Sequence, residues 1–345
     1  MTVISQDELK DFAAGLLRAG GFTDGDAAQT ADLLVWANLR GVDSHGVLRI
    51  PRYVEMIEQG AIVSGSHVRT VTQKGAIAVL DGGKCPGAVG MNLAVAQAIE
   101  LAADFGVGWC SARSISHAGA VGYFASAIAR RGMVGMVMSA SKPLMSYFGA
   151  RGEAISTNPL SIAVPTGKGR DPILLDMSTA AVALGKIMAA KDAGKDIPRG
   201  WAVDENGAET TDPSKVAALL PMAGAKGSGL SLMIELLVSV LAGNAVIAPV
   251  LTGKKKGGFN GVVIAIDPTA FGGLDEFEAA ANELADAIHA LPAADGVKAV
   301  RLPGESGAAA ARTRVSEGIP LAKGTVENLV ELARKFGVAI PSTLA

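Results

Sequence analysis

The densest concentration of chemistry in the chain lies between Leu39 and Tyr53, where an Asp, a Ser, a His and three Arg share fifteen positions. His45 follows Asp43 and Ser44 directly and precedes Arg49 by four. An imidazole exchanges protons near neutral pH, and a neighbouring hydroxyl or carboxylate can fix which ring nitrogen holds the proton. A guanidinium grips a carboxylate through two parallel hydrogen bonds. These types together suit proton transfer on a small carboxylate. Gly41 and Gly46 bracket the polar residues and let backbone approach closely, and Pro51 stands near the end. Solvated surface side chains would give the same composition, so spacing alone leaves both readings open.

Three later clusters could also act on a ligand. Ser114 to Tyr123, with His117, Gly119, Ala120, Val121 and Gly122, stands between an expected strand and an expected helix. Free N–H groups and the helix dipole seat a phosphate at such a place, although a turn capped by its His would read the same. Gly224 to Gly229, containing Lys226 and Gly227, leads into the apolar run Leu230–Ala242 and suggests a polyphosphate cradle. It lacks the spacing of a Walker A loop, which argues against nucleotide hydrolysis. Thr157-Asn158-Pro159 reads as a turn before a strand, because the residue before proline is pushed toward extended geometry. Lys186, taken alone, reads as a solvated helix lysine. No expected strand is followed by Gly-x-Gly-x-x-Gly opening a helix, so the Rossmann fingerprint is missing.

The elements that must hold these residues divide into two kinds. Ser5 and Glu8 have capping-box spacing and open a helix that ends near Gly20-Gly21. A second helix spans Thr23 to Leu39, with Ala27, Ala31, Leu34, Val35 and Asn38 on one face. A third runs through Val54 and Ile57 and stops at Gly60. The first seventy residues thus form a helical unit with the His45 turn between two helices. After His67 strands and helices alternate. Strands are expected at Ala76–Asp81, Val107–Ala112, Met133–Ser139, Ile162–Val164, Ile173–Asp176 and Val262–Asp267. Helices are expected at Ala88–Phe105 (face Leu93, Ala96, Ile99, Ala103), after His117 and from Ala180. Such alternation predicts a layered α/β domain with helices on both faces of a sheet. Leu274–Leu291 is an amphipathic helix on Phe277, Ala281, Leu284, Ile288 and Leu291, which leaves His289 toward solvent. A loop at Arg301–Glu305 precedes a last helix from Thr325 to Gly337, and these terminal helices are expected to return to the N-terminal unit.

At 345 residues the chain can build two sizeable cores. A net charge of −2 gives no general pull toward nucleic acid or an anionic membrane, so neither partner is expected. The longest apolar run falls short of the roughly 20 residues a bilayer span takes. Cys85 and Cys110 form neither a disulfide framework nor a zinc pattern, so no metal is expected and a reducing cytoplasm fits. The acidic, amphipathic start carries no expected export leader.

Asp43-Ser44-His45-Gly46-Val47-Leu48-Arg49, with Pro51 and Tyr53, resembles the signature of the malate/L-lactate dehydrogenase-like oxidoreductases. That family is distinct from the Rossmann-fold lactate and malate dehydrogenases. It also takes in ureidoglycolate, sulfolactate and diketogulonate dehydrogenases and cyclic imino-acid reductases. Ser114–Tyr123, Ser156–Leu160, Leu175–Thr179 with Gly185-Lys186, Gly224–Gly229 and Arg301–Glu305 resemble further family elements in family order. Ser156 departs from the family's Gly, and Ala225 stands where members often carry His or a bulkier residue.

The resemblance implies a three-layer α/β/α NAD(P)-binding domain of non-Rossmann type over residues 73–285. A small helical domain from both termini, 1–72 and 286–345, would carry the His turn. It implies interconversion of a 2-oxo and a 2-hydroxy acid with NAD or NADP. His45, oriented by Ser44 or Asp43, would move the proton, with His117 its rival. Arg49, with Arg40, would clamp the carboxylate, and Tyr53, Thr157, Asn158 and Lys186 would line the substrate. The dinucleotide would meet His117, Gly119, Ala120, Val121, Asp176, Met177, Ser178, Lys226, Gly227, Arg301, Pro303, Gly304 and Glu305. The family also implies a homodimer with the active site near the subunit interface. Imino-acid reductases carry Asp where Lys186 stands, which weighs against imine reduction; that activity and dinucleotide binding without chemistry are the two rival functions.

Overall fold

Ser5 opens the first helix by accepting the Glu8 N–H on its hydroxyl at 3.3 Å, and Thr23 opens the second by accepting from Asp26. These side chains satisfy donors that a helix start leaves free. The computed structural model describes residues 2–167, 169–192, 194–255 and 257–345. In chain order the helices are α1 (Gln6–Ala19), α2 (Asp24–Leu39), α3 (Ile50–Glu58), α4 (Gly87–Phe105), α5 (Gly122–Ala129) and α6 (Leu184–Asp192). They continue with α7 (Ala225–Glu235), α8 (Ile247–Leu251), α9 (Leu274–His289), α10 (Glu305–Glu317) and α11 (Lys323–Phe336). The strands are β1 (Thr2–Ile4), β2 (Arg69–Lys74), β3 (Ile77–Asp81), β4 (Val107–Ile115), β5 (Val134–Ser141) and β6 (Leu160–Val164). Then come β7 (Ile173–Met177), β8 (Ala202–Val203), β9 (Ala218–Leu219), β10 (Phe259–Ile266) and β11 (Ile319–Leu321).

The fold is mixed α/β, built on a seven-stranded sheet in the order β2-β3-β4-β10-β5-β6-β7. Only β3 and β4 run parallel among these neighbours; every other pair is antiparallel. Side chains of a strand alternate between faces. Val263 and Ala265 of β10 join Val137 of β5 under α4 and α5, against Met91, Ala94, Ala98, Phe124 and Ala125. Val262, Ile264, Met138 and Ala140 face the opposite way, against Ile234 of α7 and Val238 beyond it. Helices thus cover both faces, without the mostly parallel order of a Rossmann sheet.

A second core gathers Leu9, Leu16, Leu17, Leu34 and Ile50 with Ile319, Leu321, Leu329 and Ala333 from the far end of the chain. There β1 pairs antiparallel with β11. A smaller core around the β8–β9 hairpin holds Met145, Ile155, Ile187, Ile197 and Leu219.

Several expectations change. The face of α4 turned to the sheet is Met91, Ala94, Ala98 and Leu101, whereas Leu93 is 45% exposed. That helix is apolar nearly all round, with the length and composition of a membrane span, so periodicity cannot choose its inner side. Close approach chooses it: a Cβ on Gly108 would lie 2.0 Å from the Ala98 carbonyl oxygen. Helix α7 begins at Ala225 rather than Leu230, which places Lys226, Gly227, Ser228 and Gly229 inside its first turns instead of in a loop. It passes into a π-helical turn at Leu236–Val240. On α9 no residue of the expected stripe is buried: Phe277, Ala281 and Ile288 are half-buried and Leu284 is 62% exposed. Helix α10 and strands β1, β2 and β11 were not expected from the sequence.

Candidate active site

Helix α2 delivers the chain to the His45 turn. Gly41 takes φ +76, two short 3-10 turns follow at Asp43–His45 and Val47–Arg49, and Pro51 lies in the first turn of α3. Asn38, buried at the end of α2, templates this turn. Its Nδ2 donates to Asp43 Oδ1 at 2.7 Å and its Oδ1 accepts the Val47 N–H at 2.9 Å. Gly46 passes so close that a Cβ there would lie 2.2 Å from Asn38 Oδ1.

Within this frame Ser44 Oγ lies 3.0 Å from His45 Nδ1. Arg49 donates through Nε to the Ser44 carbonyl at 2.8 Å, and its Nη edge has no protein partner among the described residues. Asp43 does not orient His45. Its carboxylate is held by Asn38 and by Arg314 of α10, at 2.9 Å from Nη1. The other expected clamp is likewise displaced. Arg40 lies over the Trp36 ring, 5.2 Å from its centroid, and donates to the Gly304 carbonyl at 2.9 Å.

His117 comes from the loop after β4 and meets His45 face to face, with ring centroids 5.6 Å apart and planes 21° from parallel. Tyr53 OH hydrogen-bonds His117 Nδ1 at 2.7 Å, and Phe259 of β10 packs edge-on against the same imidazole at 5.7 Å. Tyr53 is 4% exposed, so its hydroxyl serves His117 rather than the open cleft. Both imidazoles are densely surrounded yet half-buried, as expected of side chains lining a cleft. Desolvation, aided by Arg49, pushes His45 down to about 4. Desolvation, then His45 and Arg49, holds His117 well below the ordinary histidine value. Burial drives Tyr53 above the usual phenol range, so it meets His117 Nδ1 as the neutral phenol.

The other candidate residues group around the sheet's β7 end. Gly185 reaches Ser44, since a Cβ on it would lie 3.3 Å from Ser44 Cβ, and this brings exposed Lys186 beside the His45 turn. The Thr157 carbonyl accepts the Thr179 N–H at 3.0 Å. Asn158 is fully buried, donates to the Ser231 carbonyl at 2.8 Å and leaves Oδ1 without a protein partner. It is therefore fixed behind the cleft wall rather than facing a substrate. Gly227 packs on the backbone of Met222 and Thr179, next to Met177 and Ser178, while Lys226 is exposed.

Ala120 and Val121 turn their side chains into the core, which leaves only backbone at the entry to α5 for a ligand. Gly119 adopts φ +74 there. Asp176 presents its carboxylate at that entry, where a Cβ on Gly122 would lie 2.4 Å from Oδ2. Desolvation raises this carboxyl to about 6 against the opposing Gly122 N–H and Arg40. Beside it, the Pro303 carbonyl accepts the Leu174 N–H at 3.1 Å and Gly304 packs against Leu174. Arg301 and Glu305 do not reach into this groove. Arg301 donates to Ser306 Oγ at 2.9 Å, and Glu305 accepts the Leu302 N–H and pairs with His289 at 2.7 Å. His289 is therefore an ion-pair candidate rather than a free surface group.

A carboxylate for ribose hydroxyls beside the backbone of a helix start fits a dinucleotide. Asn38, Phe259 and Arg314 escaped the sequence as site residues. Asn38 alone left a signal, as a polar residue on the buried face of α2.

Residues 4–330 match the family model described as malate/L-lactate dehydrogenase. The chain belongs to that family and is a 2-hydroxy acid dehydrogenase, an oxidoreductase of small carboxylates that uses a nicotinamide dinucleotide. It is 35% identical to malate dehydrogenase of Pyrococcus horikoshii, over 97% of this chain and 96% of that one. A solved structure of the Pyrococcus horikoshii malate dehydrogenase superposes with a TM-score of 0.88, covering 98% and 96% of the two chains. Ureidoglycolate dehydrogenase (NAD(+)) of Escherichia coli O157:H7 is 32% identical over 95% of each chain. The structure of a delta1-piperideine-2-carboxylate reductase from Pseudomonas syringae is more distant, with 27% identity, a TM-score of 0.83 and coverage of 96% and 100%.

Proposed function

We propose that the protein interconverts a malate-, lactate- or ureidoglycolate-like 2-hydroxy acid and its 2-oxo acid, with His45 moving the proton. The observation that carries this reading is the Ser44–His45–Arg49 set, a hydroxyl-bonded imidazole beside a guanidinium that donates to the adjoining Ser44 carbonyl and keeps an Nη edge without a partner among the described residues. Hydride exchange at the substrate carbon is the chemistry that NAD or NADP supplies when bound. Arg49 takes the carboxylate through its Nη edge and so orients the adjacent carbonyl. The bound carboxylate offsets the field of Arg49 on His45, which lets the imidazole accept a proton from the hydroxyl during oxidation. In reduction the same ring returns that proton to the developing alkoxide. Ser44 holds the ring through Nδ1, and His117 walls the opposite side. Exposed Lys186 faces the same turn and supports the hydroxy-acid reading over imine reduction.

Asp176, Met177 and Ser178, the backbone of Gly119–Val121, Lys226, Gly227 and the Pro303–Gly304 turn would hold the dinucleotide. Residues 73–285 would form the cofactor domain, and 1–72 with 286–345 the unit that carries the His turn. A homodimer is supported by the uncovered apolar face of α7 and its π-turn, Met233, Leu236, Leu237, Val240 and Leu241. A cytoplasmic location is supported by the free thiols Cys85 and Cys110. A panel of 2-hydroxy acids and cyclic imines, run with NAD and NADP and followed at the nicotinamide absorbance, tests the reading. Turnover confined to imines would sink it.

A further inference from the structure

We propose that Arg314 is a positioning residue that sets the Ser44–His45 turn for proton transfer, a role that rests on the reading of His45 above. Arg314 stands on α10, far from the turn in sequence, and its side chain is 18% exposed. Its Nη1 reaches Asp43 Oδ1 at 2.9 Å, its Nη2 lies 3.5 Å from Oδ2, and the same guanidinium donates to the Asn38 carbonyl. Asp43 Oδ1 also accepts from Asn38 Nδ2, and Asn38 Oδ1 accepts the Val47 N–H. The residues on either side of His45 are thus tied to one planar fork.

Arg40 makes the reciprocal tie, from the end of α2 to the Gly304 carbonyl at the start of α10. Gly41 and Gly46 flank the turn and are its natural pivots once the fork is gone. A surface ion pair contributes little to stability. This one is half-buried and binds two residues from the imidazole, so its loss acts first on where the ring sits. A lysine keeps the charge but not the fork.

The imidazole is faced by Arg49 on its own segment and by His117 from the loop after β4, while the Asp43–Arg314 pair and Lys186 stand beside its turn. Freeing the turn admits water and leaves Asp43 without its counter-ion, and both changes favour the protonated ring.

The chain has four histidines, so a full-length sample labelled at histidine gives a resolvable NMR titration. In Arg314→Met and in Arg314→Gln, the His45 midpoint is expected to rise by about one pH unit. Oxidation kcat should fall by roughly 10²-fold, the dinucleotide Kd should stay within twofold, and Arg314→Lys should recover part of the loss. A His45 titration in folded Arg314→Met or Arg314→Gln that superimposes on wild type overturns the proposal. So does a dinucleotide Kd that weakens as much as kcat falls. Wild-type protein that turns over no 2-hydroxy acid, while the variants still shift His45, removes the enzymatic reading and leaves the positioning role standing.

Discussion

Two imidazoles lie face to face, and burial and then the neighbouring Arg49 make protonating either ring costly. This sets how the fold responds to acid. Folded His45 binds its proton near 4 rather than near the ordinary 6.5, and His117 is shifted the same way. The unfolded chain therefore takes up more protons between those values, and the stability present above 6.5 is lost as pH falls toward 4. Asp176 has the opposite sign: raised from 3.8 to about 6, it contributes stability below its unfolded value that is lost as pH rises through 6. Two imidazoles oppose one carboxyl, so the Tm of wild type should decline from pH 6.5 downward. The decline should be shallower in His45→Asn/His117→Asn; parallel slopes would assign the acid sensitivity elsewhere. For activity, His45→Ala should slow single-turnover hydride transfer by about 10²–10⁴-fold with saturating dinucleotide. If His45→Ala leaves that step intact and His117→Ala abolishes it, the proton belongs to His117.

Turns and helix ends, more than helix bodies, place the site. Gly46→Ala drives a methyl into Asn38, so unfolding free energy in urea should drop by about 1–3 kcal/mol and oxidation should fall with it. Gly122→Ala pushes the Asp176 carboxylate off the start of α5. The Kd of NADH or NADPH, measured by fluorescence, should rise about tenfold, equivalent to about 1.4 kcal/mol; an unchanged Kd would move the cofactor away from the β7 edge. Much at this scale was legible in the sequence. Ser5, Thr23, Gly60 and Gly337 mark helix limits through chemistry local to each end, and the five residues expected on one face of α2 are all buried, although other sides of that helix are covered too. The His45 turn fell between two helices, as expected, although Ile50–Tyr53 of the motif already belong to α3. What failed had no local cause. The inner face of α4 is chosen by Gly108 across the sheet, α10 is Ala-rich with no apolar stripe, and the partners of Asp43, Arg40 and Tyr53 come from distant segments.

The molecule as a whole keeps a large apolar surface uncovered. Between Lys226 and Lys254 the single charge is Glu235, which is 3% exposed, while Met233, Leu236, Leu237, Val240 and Leu241 are 39–65% exposed. An apolar, uncharged face is self-complementary, as a two-fold contact requires. Light scattering on a sizing column should give a dimer mass, and Leu237→Lys/Leu241→Lys should give a monomer. A wild-type monomer at micromolar concentration would refute the homodimer.

The strand at the middle of the large sheet, β10, is the last of its seven to be synthesised. On a ribosome β4 and β5 emerge early and then wait for Phe259–Ile266 to slide between them. At about 5–20 residues per second that delay is on the order of ten seconds. Throughout it the nascent chain shows two unpaired strand edges, the kind of surface that invites pairing with a neighbour. Strand β1, the first made, waits longer still for β11. Yield in a fast-translating host should therefore hang on shielding of the growing polypeptide more than on the strength of the finished fold.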